Sequence, residues 1–311
     1  MWSRARGLAR TALRRGVYPA LEATWAAGFA AAGRLRAPPG VRPWRAAGGQ
    51  RVGIVAPHPD DETVGCGGVA ALHAAAGDRV AVLIVTDGGA SRAAGPAGMD
   101  MAPRRAAEAQ EAARALGVAG LTLGGLPEGR WGMAEGARVI RRWLSAERPA
   151  LLYAPSCVDY HPEHLRVARA LAQAVAALPP EAQPRVRVYE VFTPLGPGLV
   201  NCVAGLGAAR AAKARALRCY GSQAAGLAQV ARCDRYLGHF YARPGGAEAF
   251  RDMSAAAYAA LIAAGDWTGR ATPYRGLRGR PFSDPLAWFV GGRERRRLGA
   301  VVGATSHGGA G

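Results

Sequence analysis

The sequence predicts an α/β fold: a Rossmann-like, mostly parallel sheet flanked by helices. Short apolar runs recur between residues 51 and 192, and stretches with helical spacing separate them. Helices of strand-to-strand crossover length between such runs make βαβ units, which give parallel pairing. The polar residues best suited to chemistry fall directly after apolar runs, at the carboxyl ends where such sheets hold their ligands.

The elements follow in order. Arginines at 4, 6, 10, 14 and 15 precede an Ala-rich segment, Val17 to Gly33, interrupted by Pro19 and Glu22. That segment is short and weakly apolar for a membrane span. It lacks the Leu-rich core of a signal peptide, although an Arg-rich start leaves targeting open. It reads as an amphipathic helix that packs on the body or lies on a membrane surface. A Pro/Gly/Arg linker, Ala37 to Gln50, follows. Strands are then expected at Val52–Ala56, Val80–Thr86, Leu121–Leu123, Leu151–Ala154 and Val186–Phe192. Helices are expected at Val69–Ala76, Pro103–Leu116, Ala134–Ala146 and Leu165–Ala177. The chain thus divides into a basic N-terminal helix and linker (1–50), a body (51–240) and an Arg/aromatic C-terminal extension (241–311) whose last residues read as a frayed tail.

Composition narrows the function. Half of the residues are hydrophobic and 20% charged, which excludes a disordered or collagen-like chain. Five scattered cysteines without a CxxC pair argue against a disulfide framework and fit a reducing compartment. The formal charge is +18 and sits mainly at the two ends, leaving a near-neutral body. A nucleic-acid reader would instead line one working face with basic residues. Of the 40 basic residues only Lys213 is lysine, so arginine abundance partly reflects codon usage. The basic ends suit peripheral contact with an anionic membrane or an acidic partner.

Two motifs carry the chemistry. Ala56-Pro57-His58-Pro59-Asp60-Asp61-Glu62 follows the first strand and precedes Gly65-Cys66-Gly67-Gly68. One imidazole and three carboxylates in so short a stretch repel one another unless a cation joins them, and this donor set suits zinc or ferrous iron. Asp159-Tyr160-His161-Pro162-Glu163-His164 follows the Leu151–Ala154 strand and opens the next helix. Together the loops supply His, Asp and His for a three-ligand catalytic site with an open water position.

These motifs resemble the PIG-L/LmbE family of metal-dependent N-acetylglucosaminyl deacetylases. The similarity runs from about Val52 to Gln223 and also takes in Arg105-Ala-Ala-Glu108, Leu116-Gly117-Val118 and Lys213-x-x-Ala216-Leu217-x-x-Tyr220-x-Ser222-Gln223. It implies an LmbE-like deacetylase domain over 51–240, with His58, Asp61 and His164 as metal ligands. Asp60 would be the general base for the metal's water, and His161 would polarise the amide or stabilise the oxyanion. The implied metal is Zn2+, with Fe2+ or Co2+ as alternatives. Arg105, Lys213, Tyr220 and Gln223 are candidate substrate contacts. Three positions depart from the family pattern: Glu163 stands where Asp is usual, Asp87-Gly88-Gly89 where Gly-Glu is frequent, and Tyr220 where His is frequent. None removes an implied ligand, and the last two bear on the substrate.

Each candidate also has a plainer reading. Lys213 as the one ammonium suggests a need for compact charge, or a chance survivor on a solvated face. Arg105 and Glu108, three apart, can pair on one helix face. The cysteines read as small apolar fillers, with Cys66 the one near the metal loop. Asp234-Arg235-Tyr236, His239-Phe240-Tyr241, Trp267, Tyr274 and Trp288 either cover a sugar pocket or pack as a terminal cap.

The resemblance therefore implies an N-deacetylase (an amide hydrolase) acting on a small-molecule or lipid-linked amino sugar. The chain would sit in the cytoplasm or peripherally at the inner membrane face. The alternative is a non-catalytic, metal-binding relative that serves as a membrane-associated biosynthetic partner. The sequence leaves open the sugar conjugate, the ion and the group that protonates the leaving amine.

Overall fold

Apolar residues at consecutive positions, not alternate ones, mark the central strands, because both faces of a parallel sheet are covered by helices. In the computed structural model β2 (Arg51–Ala56) and β3 (Arg79–Thr86) are buried at every position after their first arginine. The structure describes residues 18–36, 40–90, 100–157, 159, 161–191, 195–227, 229–264 and 299–300. The Arg-rich start, Trp267, Tyr274, Trp288 and the expected frayed tail lie outside the described residues.

The other elements are α1 (Tyr18–Arg36), β1 (Arg42–Pro43), α2 (Asp61–Ala75), α3 (Met101–Leu116), β4 (Gly120–Leu126), α4 (Met133–Glu147), β5 (Leu151–Pro155), α5 (Pro162–Ala176), β6 (Arg185–Tyr189), β7 (Cys202–Gly205), α6 (Arg210–Cys219), α7 (Val230–Phe240), β8 (Ala247–Met253) and α8 (Ala255–Ala264). The five strands and four helices expected within 51–192 are all present, with ends shifted by a few residues. The largest shift is in α2, which starts at Asp61 within the first motif, not at Val69.

The strands form one sheet in the order β1-β7-β8-β6-β5-β2-β3-β4. All neighbours are parallel except the two pairs made by β8. The sheet reaches beyond 51–240 on both sides: Arg42–Pro43 pairs with β7, and β8 inserts between β6 and β7. One apolar core, including Ile54, Val69, Val82 and Ala112, lies under α2 and α3. A second, including Val55, Leu83, Trp143 and Leu171, lies under α4 and α5.

β2 is flanked by β3 on one side and β5 on the other, so the strand order reverses there. The chain leaves β2 into α2 and β5 into α5, which cover opposite faces, and a crevice opens between the two loops. Both histidine motifs lie in those loops. Local signals place them: His161 N-caps α5, with Pro162 at its first position, so His164 falls in the first turn facing the crevice.

The N-terminal helix packs on the body. Phe29 of α1 stacks on Tyr236 of α7 with ring centroids 4.8 Å apart. Gly33 permits this approach, because a Cβ there would lie 1.9 Å from the Phe240 carbonyl oxygen. Trp25 and Leu35 remain on the outer side of the helix, 39% and 84% exposed. Among the described residues, no helix is long and apolar enough to cross a membrane.

Candidate metal centre

The crevice gathers both motifs. One oxygen of Asp61, Oδ2, lies 3.0 Å from His58 Nδ1 and 3.2 Å from His164 Nε2. His58, Asp61 and His164 are all buried. His161 stands beside them, its ring centroid 4.7 Å from that of His58 and 5.2 Å from that of His164. One nitrogen from each of the three imidazoles fits within a 4.8 Å group. Two donor sets are therefore within reach, sharing His58 and His164 and differing in Asp61 or His161.

Each buried imidazole has a carboxylate on its other nitrogen. Asp159 Oδ2 is 3.1 Å from His164 Nδ1, and Glu128 Oε1 is 3.4 Å from His58 Nε2. A carboxylate behind a histidine fixes ring orientation and raises basicity, the usual backing of a metal ligand. The protonation of the imidazoles follows from the same contacts. Burial lowers the His58 pKa, but hydrogen bonds donated to the Asp61 and Glu128 carboxylates outweigh it and lift the value to about 9. Burial also opposes charge on His164, and Asp61 and Asp159 overcome it to raise that pKa well above the usual one. Burial and the two neighbouring imidazoles instead depress His161 to about 4. A cluster of acids that draws protons onto two buried imidazoles calls for positive charge, so the donor set fits a divalent cation of the zinc, ferrous or cobaltous kind.

Asp60 is held at the mouth of this cluster. It caps α2 with φ +116°, a left-handed conformation rare outside glycine. Two groups restrain it. The Glu62 carboxylate accepts from its amide at 3.1 Å. Arg105, 4% exposed, places Nη2 3.2 Å from Asp60 Oδ2, and the same nitrogen donates to the Pro59 carbonyl. Its Nη1 donates to the Gly88 carbonyl at 3.2 Å. Gly88, at φ +64°, leaves the room, since a Cβ there would lie 2.5 Å from Arg105 Nη1. Burial raises the Asp60 carboxyl to about 8, with Arg105 pulling it back and Asp61 and Glu62 adding to the rise.

His161 accepts on Nδ1 from the Glu163 amide at 3.4 Å, and its low pKa keeps the ring neutral. The remaining proton then sits on Nε2, the nitrogen 4.0 Å from Glu128 Oε1 on the crevice side. Glu163, the longer acid where Asp is usual, accepts from the Gly129 amide at 2.6 Å and so ties the second motif to the loop carrying Glu128.

The candidate substrate contacts are placed differently. Lys213 is 1% exposed and bonds Asp234 at 2.9 Å and Glu248 at 2.7 Å, so its ammonium meets buried carboxylates away from solvent. Tyr220 is fully buried, and its hydroxyl donates to Glu62 Oε1 at 2.5 Å. Arg105 holds Asp60 and the loop carbonyls, whereas Glu108 pairs with Arg104 at 3.2 Å and accepts from the Ser222 amide and hydroxyl. Gln223 donates to Ser222 Oγ at 3.1 Å. These motif residues brace the crevice from behind. Cys66 is buried with a thiol pushed well up by that burial, as a small apolar filler would be. Asp234 and Tyr236 of α7 likewise pack inward.

Sequence reasoning passed over Glu128 and gave Asp159 no role. The one available signal for Glu128 was its place in Pro127-Glu128-Gly129, a turn directly after β4 at the same end of the sheet as the histidine loops.

Comparison with known proteins bears on this site. The family model PIG-L, described as GlcNAc-PI de-N-acetylase, matches residues 54–175, a span that includes both histidine motifs. No curated protein matches the chain. Among solved structures, the conserved protein TT1542 from Thermus thermophilus is 28% identical, over 65% of this chain and 93% of its own, with a TM-score of 0.56. N,N'-diacetylchitobiose deacetylase from Pyrococcus horikoshii is 21% identical, over 67% and 85%, with a TM-score of 0.58. GalB, the 4-carboxy-2-hydroxymuconate hydratase from Pseudomonas putida, is 18% identical, over 65% and 95%, with a TM-score of 0.53. The last two share the fold and carry different chemistries, so function has to be argued from the crevice.

Proposed function

Because residues 54–175 form a domain of the PIG-L family, we propose that this chain hydrolyses the acetamide of an N-acetylglucosamine-type sugar conjugate, releasing acetate and a free amine. The observation that carries this reading is the Asp60 carboxyl, restrained in a costly backbone conformation beside the convergent donors of His58, Asp61 and His164.

Of the two donor sets, we assign His58, Asp61 and His164 to the metal. Asp61 brings the negative charge that a divalent ion needs, and both imidazoles already converge on its oxygen. A zinc ion held there, or iron or cobalt in its place, would act as a Lewis acid on the amide carbonyl and acidify a water to a pKa of about 7. Asp60 takes the proton from the attacking water, and the same carboxyl can return it. His161, neutral with its proton on Nε2, donates to the carbonyl oxygen as negative charge develops there. Glu128 keeps the His58 ring oriented from behind.

The test is acetate release from a panel of N-acetylglucosamine conjugates, with and without chelator. We expect chelator-sensitive release, and an Asp60→Ala variant that keeps its metal content while losing at least about 100-fold in kcat. An Asp60→Ala protein as active as the native chain sinks the assignment. A metal-loaded protein that releases no acetate from any conjugate favours the non-catalytic relative.

A further inference from the structure

A second concave site lies away from the crevice, on the β7–β8 side of the sheet. A cavity of about 700 Å³ opens between α1, the end of α7 and the loop entering β8. Its volume is that of a small-molecule site. Arg34, Arg210, Arg235 and Arg243 line it, one each from α1, α6, α7 and the loop, with His239 beside them. Among the described residues, no Asp or Glu lines it. None of its lining residues belongs to the metal centre.

The acids closest in sequence to this cleft are turned inward. Asp234, next to Arg235, points to Lys213 Nζ at 2.9 Å. Glu248, two residues into the strand that follows the loop, meets the same ammonium at 2.7 Å and also accepts from the Gly68 and Val69 amides of α2. The one lysine thus holds both carboxylates in the body, where Asp234 also acts on Arg210, and four guanidiniums line the cleft. Guanidinium is the cation suited to bidentate capture of phosphate oxygens. Four of them around one concavity, drawn from four elements, differ from a solvated stripe on a single helix.

We propose that this cleft binds a phosphate ester, either a soluble sugar or glycerol phosphate or the headgroup of an anionic lipid. Glycerol 3-phosphate, titrated calorimetrically, is the soluble probe. Phosphatidylcholine vesicles with and without phosphatidylglycerol are the lipid probe. The Arg235→Gln/Arg243→Gln pair is expected to weaken binding at least tenfold. The Arg141→Gln/Arg142→Gln pair, exposed on α4 and removing the same net charge, is expected to leave it unchanged. Arg34→Gln/Arg210→Gln, on the opposite walls, repeats the test if the first pair unfolds.

Saturable binding of glycerol 3-phosphate with this pattern supports a soluble ester. Binding to the phosphatidylglycerol vesicles alone, with the same pattern, supports a lipid headgroup. No binding of either probe, or equal weakening by the cleft and α4 pairs, overturns the site. Acetate release from unphosphorylated N-acetylglucosamine is expected to be the same in all variants, so this test succeeds or fails apart from that of the metal centre.

Discussion

Asp60 sits at φ +116°, a conformation that costs on the order of 1–3 kcal/mol for a residue with a side chain. The fold holds it there through Arg105 on its carboxyl and Glu62 on its amide, both of them buried. On the proposed mechanism Arg105 acts through Asp60, as a positioning residue. Arg105→Gln should reduce kcat about 100-fold through misplacement of Asp60, with metal content and KM little changed. A variant that raised KM and spared kcat would return Arg105 to the substrate. The motif was legible in sequence, but this role was not. Arg105 and Glu108 share a helix face, yet the partner of Arg105 lies far upstream, brought close by the β2 loop.

Elements were legible where one physical signal dominated. β2 and β3 after their first arginine, and all of β5, are buried because both faces are covered, and α3 begins on an Asp100 cap and ends on Gly117. β8 was missed because it carries Glu248, Arg251 and Asp252 and so does not read as a strand. Its acids are tolerated because tertiary partners meet them: Lys213 for Glu248, and Arg185 and Arg187 for Asp252. Lys213 links α6 to α7, to β8 and, through Glu248, to α2. Lys213→Met should destabilise the fold by about 3–5 kcal/mol, since two buried carboxylates lose their cation. Denaturant unfolding measures this, and a loss below about 1 kcal/mol would mean the carboxylates find water or protonate at little cost.

At the scale of the described residues, the sheet ties Arg42–Pro43 and Ala247–Met253, on either side of 51–240, to its centre. β8 lies between β6 and β7, and β1 reaches the sheet only through β7. A chain ending after Phe240 therefore exposes an unpaired edge on β6 and detaches β7 and β1. We expect that truncation to aggregate or to melt without cooperativity by circular dichroism. A folded, cooperatively melting 1–240 chain would show that the body does not need β8. The N-terminal helix belongs to the same body through Phe29 and Tyr236, and with it one wall of the arginine cleft.

The sequence by itself determined the parallel α/β class and the two loops that carry the histidines. These depend on local quantities: apolar runs, caps, and side chains too charged to share a short loop without a cation. Tertiary structure decided which atoms converge. Only the folded sheet puts β5 beside β2, and so brings His164 to Asp61 from far along the chain. It also placed Glu128 behind His58, sent Lys213 inward to Asp234 and Glu248, and set four arginines around one cleft. Each of these is an arrangement of charges distant in sequence, and such arrangements follow from strand order, which no single segment encodes.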